Sequence, residues 1–172
     1  ITAFTPEEIN NLSINQIQNI LSSQINILTP LQFSALNPNC IPTLTTDIIK
    51  ILRTNQISVF TTGQINSMTT VQIPNILTSL ISILSTSQAS AFNPNIIPAF
   101  TTIQIITFST DQISAFTTAE IIKLTTNQVS NMLSLQIINL SPIQISALNP
   151  NVIPIITLDI ILSRVDFPDP FF

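Results

Sequence analysis

From Thr5 to Arg164 the chain divides without a gap into twenty octads of the form Thr-x-x-Gln-Ile-x-x-Leu. "TTAEIIKL" (Thr117 to Leu124) and "STDQISAF" (Ser109 to Phe116) are typical units. Position five is apolar in all twenty, usually Ile, as at Ile9, Ile17, Ile25 and onward to Ile161. Position eight is Leu, Ile, Met or Phe in every octad except the last, where Arg164 stands. Position four is Gln or Glu in fourteen. So short a repeat restricts the chain to folds in which one small unit is made many times and completed only by its neighbours.

Two such folds compete. Thr, Ile and Phe favour strands, but the apolar positions lie alternately three and five residues apart. In an extended strand an odd separation places them on opposite faces. A β-solenoid, the alternative, therefore needs a turn in every octad, and Gly63 is the only glycine available for turn chemistry. The helical reading explains more. Position one is Ser, Thr or Asn in all but four octads, and Gln or Glu usually follows three residues later. That is a capping box, in which the hydroxyl accepts from the N3 amide and the N3 side chain reaches back to the cap. Six of the twelve prolines (Pro6, Pro30, Pro38, Pro94, Pro142, Pro150) stand at position two, where a helix start tolerates a missing N–H. Acidic residues gather at positions three and four (Glu7, Glu8, Asp47, Asp111, Glu120, Asp159), while Lys50 and Lys123 come late in their octads; both placements suit the helix dipole.

The expected fold is all-α: a solenoid of very short capped helices, one per octad, with Ile and Leu/Phe stripes facing inward. Helices this short fall below the ~12–15 residues needed for marginal stability alone, so neighbours must hold them. Four octads lack a standard cap residue. They begin at Leu21, Leu77, Leu133 and Arg53, and in the three leucine octads the cap is expected to slip forward to Ser22, Thr78 or Ser134.

A longer period overlies the octad. "ALNPNCIPTL" from Ala35, "AFNPNIIPAF" from Ala91 and "ALNPNVIPII" from Ala147 start 56 residues apart. In these copies Asn37, Asn93 and Asn149 are expected caps. Pro42, Pro98 and Pro154, at position six, remove the next helical amide and bias the preceding residue towards extended backbone. These three units are read as single turns or 3₁₀ segments and as corners of a 56-residue superrepeat with three to four helices per turn and two turns per superrepeat; Pro74 is a fourth proline at position six, outside these copies. Residues 1–4 form a lead-in, 5–164 the repeat array, and 165–172 ("VDFPDPFF") a tail outside the pattern. The start at Ile1, with neither Met nor a signal-peptide pattern, suggests a processed product or an excerpt from a longer array.

Composition excludes several functions. Charged residues make up 7%, against roughly a quarter in ordinary globular chains. The four basic residues (Lys50, Arg53, Lys123, Arg164) cannot form a phosphate-neutralising stripe, so nucleic acid is not an expected partner. No stretch approaches the ~18 uninterrupted apolar residues of a membrane span. Without histidine, and with acids scattered singly apart from Glu7–Glu8, no general acid–base pair is evident. Gly63 alone cannot build a phosphate loop, and Asp47, Asp111 and Asp159 are too sparse for calcium ladders. Cys40 has no partner for an internal disulfide or a metal site and reads as a small apolar substitute at a half-buried position. Neither enzyme activity, cofactor, metal nor catalytic residue is expected. Asn11-Leu12-Ser13 and Asn139-Leu140-Ser141 match the glycosylation acceptor, as chance allows in a chain this rich in Asn and Ser.

"FTTAEIIKLTTNQVSN" (Phe116 to Asn131) resembles the octapeptide arrays of the "LTTxQIxx" type found in long, repetitive, adhesin-like bacterial secreted and surface proteins, and the pattern covers most of the chain. The resemblance implies an extracellular or cell-surface spacer, stalk or adhesive module. The open ends of a solenoid, the low charge and the 56-residue period suit a filament or surface array that self-associates head to tail or laterally. The alternative is an adhesive module that presents its polar surface to a glycan, a host protein or ice. It supplies no functional residues to transfer.

Overall fold

The computed structural model describes residues 3–152. These form fifteen α-helices of four to six residues and four 3₁₀ segments, and no strand occurs among the described residues. The β alternative is thereby set aside. Pro154, the twentieth octad and the 165–172 tail lie outside the described residues, as do Ile1 and Thr2.

Every α-helix begins at position two of its octad. The preceding residue is extended, as at Thr61 (φ −70°, ψ 157°). In eleven of the fifteen its hydroxyl accepts from the N–H at position four. The cap has a local cause: Ser and Thr compete for backbone donors in extended conformations, and the orphan amides of a helix start offer them.

The remaining four helices correct one expectation. At Leu21, Leu77 and Leu133 the cap does not slip; the helices still start at Ser22, Thr78 and Ser134, with the leucine as an uncapped N-terminal residue. A one-residue shift would rotate the inward stripe by about 100°, and core burial outweighs one cap bond. Gln24 and Gln136 keep half of the box, accepting from the Leu21 and Leu133 amides at 2.9 Å. Arg53, also uncapped, sends its guanidinium to the carbonyl of Asn26.

Proline at position six shortens the helix as its chemistry requires. Pro42 and Pro98 lie within 3₁₀ segments Pro38–Thr43 and Pro94–Ala99, and Pro74 within Ile73–Asn75. Asn37 and Asn93 cap with the shorter Asx reach, accepting from Asn39 and Asn95 at 2.9 and 3.0 Å. These segments are ordinary members of the stack rather than corners. Pro38–Thr43 packs on Ile14–Gln18 and on Thr62–Asn66, three units back and three forward, and the α-helices follow the same spacing.

The core is as regular as the sequence. All thirty-seven buried apolar side chains among the described residues come from position five, position eight, or an apolar position four. Positions five and eight share one helix face. Along four successive octads the position-eight rings meet one another: Phe92–Phe100, Phe100–Phe108 and Phe108–Phe116 lie 5.0, 5.5 and 5.3 Å apart, all edge to face. Consecutive units therefore turn their position-eight side chains towards a common interior.

Candidate functional site: the position-four seam

Position four, the N3 residue of each unit, is where the buried polar groups concentrate. The eleven buried polar or charged residues among the described ones are Gln32, Gln56, Gln64, Gln72, Gln88, Gln104, Gln112, Glu120, Gln128, Gln136 and Gln144. All occupy that one position. A buried amide must have both ends satisfied, and here each end has a separate task. Oε1 accepts from the N–H of the cap residue, as in Thr61 to Gln64 at 2.9 Å and Ser109 to Gln112 at 2.7 Å.

Nε2 points the other way. In all ten buried glutamines it donates to the main-chain carbonyl 28 residues earlier, which in nine is position eight of the unit four back and for Gln32 is Phe4 of the lead-in. Eight of them also reach the carbonyl 31 residues earlier, at position five. The position-eight carbonyl sits at the junction between helices, beyond the intrahelical ladder, so this donor meets a group otherwise left orphaned. One side chain thus closes its own helix and fastens it to the layer beneath.

The capping box was legible from the pattern; the second bond was not. One sequence signal points to it. Twelve of the fourteen polar residues at position four are Gln and only two are Glu. A capping box accepts either, so the preference for an amide betrays a need for a donor.

The exceptions follow the same logic. Cys40 occupies position four of its unit and is buried, not half-buried; its Sγ lies 3.7 Å from the Leu12 carbonyl, again 28 residues back. Burial pushes its thiol pKa up, as an inert interior cysteine requires. Ile48, Leu80 and Ile96 fill the position with apolar volume. Glu8 and Gln16, in the first two units, are exposed and Gln24 is half-buried. Gln16 and Gln24 line a cleft of about 280 Å³ with Phe4, Leu12 and Ile20.

The two glutamates show what the layer beneath does. Both complete capping boxes, Glu8 with Thr5 and Glu120 with Thr117. Hydrogen bonds from the Thr5 amide and hydroxyl hold the Glu8 carboxyl below its ordinary value. Glu120 receives the same bonds from Thr117, at 2.7 and 2.9 Å, yet its value is raised, because burial outweighs them.

The other candidates stay apart. Glu7 and Glu8 are exposed in a first turn. Asp47 pairs with Lys50 at 3.6 Å on the surface, where such a bridge contributes little. Asp111 is exposed in its own first turn, and Asp159 lies outside the described residues. Asn11 and Asn139 are exposed, and Ser13 and Ser141 of the same triplets serve as helix caps. Gly63 has an ordinary negative φ, and a Cβ there would meet Pro38 Cγ at 3.4 Å. Among the described residues no three His, Cys, Asp or Glu side chains converge, and no helix is long and apolar enough to cross a membrane. What the arrangement does chemically is bind layer to layer. No family model, curated protein or solved structure was found to match this chain.

Proposed function

We propose that the chain is a structural repeat module: a solenoid with a 28-residue coil, two coils to each 56-residue superrepeat, that serves as an extracellular stalk, filament or surface-array element and self-associates. The 28-residue reach of the seam and the third-neighbour packing support the coil; the likeness of "LTTxQIxx" units to adhesin-like arrays supports the location.

The observation that carries self-association is the set Leu21, Leu77 and Leu133. These are 65%, 49% and 53% exposed, and each stands where a threonine would cap the helix. Replacing a hydroxyl cap costs about 1 kcal/mol, and an exposed leucine recovers none of it within the chain. In a 28-residue coil the three are two coils apart and fall in line, with Ile27 and Ile83 (53% and 39% exposed) in the same units. A repeated apolar line of this kind fits the same line on a second copy.

Sedimentation and negative-stain microscopy across a concentration series test the proposal. Wild-type protein is expected to form oligomers or filaments, and the triple variant Leu21→Ser, Leu77→Ser, Leu133→Ser to form fewer while keeping its helical circular dichroism. A compact monomer at every concentration would rule self-association out. The second reading, an adhesive module, draws on the same exposed line, and binding to a glycan array or host-protein panel by monomeric protein would favour it.

A further inference from the structure

Glu120 is the one seam residue whose chemistry does not match its place. It is 1% exposed, and its Oε2 takes the two bonds from Thr117 that complete the box. Its Oε1 is buried with no partner. In the ten buried glutamines the corresponding atom is Nε2, a donor to the carbonyls 28 and, in eight of them, 31 residues back. For position 120 those carbonyls belong to Phe92 and Ala89. An ionised carboxylate would set oxygen against oxygen there, whereas a carboxylic acid restores the donor.

We propose that Glu120 is protonated in the folded chain, with the single proton on Oε1 donated to the carbonyl of Phe92, and that loss of this proton to solvent weakens this one joint between layers. The surroundings leave the proton no rival. Thr86–Ala89 beneath, and Pro94–Ala99 and Pro142–Ala147, which pack against Thr118–Ile121, contain no ionisable side chain. Lys123 in the same unit and Asp111 in the preceding one are exposed. Beside the joint, Ser90, Phe92 and Thr117 line an open cleft of about 420 Å³. The raised value noted for this carboxyl agrees in direction.

The sign follows from linkage. With the folded value above the unfolded one, the native chain holds more proton between the two, so stability falls as pH rises through that window and levels off above it. Glu120→Gln supplies a permanent donor and removes this fall. Urea unfolding of the full chain and of Glu120→Gln from about pH 4 to pH 9 is the test. The ratio of their unfolding constants is expected to be flat below the ordinary carboxylate range and to widen by up to about tenfold per pH unit above it, in favour of the glutamine variant. A ratio independent of pH would overturn the proposal. So would closure of the gap at high pH by added calcium or potassium ions, which would make the occupant a metal cation.

Discussion

Gln64 Nε2 donates to the main-chain carbonyl of Leu36 at 2.7 Å, across 28 residues of sequence, while Oε1 of the same amide accepts from the Thr61 N–H at 2.9 Å. The first bond is tertiary and the second local, and a single planar group makes both. Fixing the amide for one bond orders it for the other, so helix initiation and layer stacking are coupled in every unit that carries a buried glutamine. That coupling, added to the apolar burial of positions five and eight, holds helices of four to six residues, when isolated helices of such length do not form.

Caps should be separable from the seam. Thr101→Ala removes the hydroxyl that accepts from the Gln104 amide at 3.1 Å and is expected to cost about 0.5–2 kcal/mol. Leu133→Thr runs the other way. It completes a box that Gln136 already half makes and should add about 1 kcal/mol. Chemical denaturation of both variants reads the two signs.

Proline substitutions should be ordered by octad position. Thr118→Pro places proline at N1, as Pro6, Pro30 and Pro142 already stand, and is expected to leave the denaturation midpoint nearly unchanged. Ile121→Pro deletes the bond from the Ile121 amide to the Thr117 carbonyl at 3.0 Å and a fully buried side chain. Its cost is expected to exceed about 3 kcal/mol. Equal damage from both would mean that position two is not a helix start in solution.

Much of this was readable before any coordinates, because capping, N1 proline and the five/eight apolar stripe are local rules that each octad obeys alone. The 3₁₀ segments at Pro42 and Pro98 follow from the same local chemistry. The seam was hidden for a physical reason: its two partners are 28 residues apart, and the acceptor is a backbone carbonyl that leaves no mark in the sequence. Cys40 was underestimated for the same cause, since only the Leu12 carbonyl reveals that it holds a seam position. The leucine caps misled in the opposite direction. Local propensity favoured Ser22, Thr78 and Ser134 as caps, and the core register overrode it.

Glu8 gives a pH prediction opposite in sign to that of Glu120. Its value is lowered by the Thr5 amide and hydroxyl, so its stabilising contribution is present above the ordinary carboxylate range and lost as pH falls through the lowered value. Carboxyl-carbon NMR should show Glu8 titrating below the ordinary range in the full chain. Thr5→Ala, which keeps the amide donor and removes the hydroxyl, should move it part of the way back.

The coupling itself is tested most directly by exchanging amide for carboxylate at two positions that differ only in what lies beneath. Gln112→Glu keeps the acceptor for the Ser109 amide but at pH 8 either loses, on ionising, the donor to the Leu84 and Ile81 carbonyls, now 2.6 and 3.1 Å away, or must take up a proton on folding to keep it. Gln16→Glu keeps its box with Ser13 at an exposed position. Urea denaturation of both at about pH 8 should show Gln112→Glu destabilised by about 1–3 kcal/mol and Gln16→Glu within about 0.5 kcal/mol of wild type. Equal effects at the two sites would show that the glutamines only cap helices and that the layers are held together by apolar burial alone.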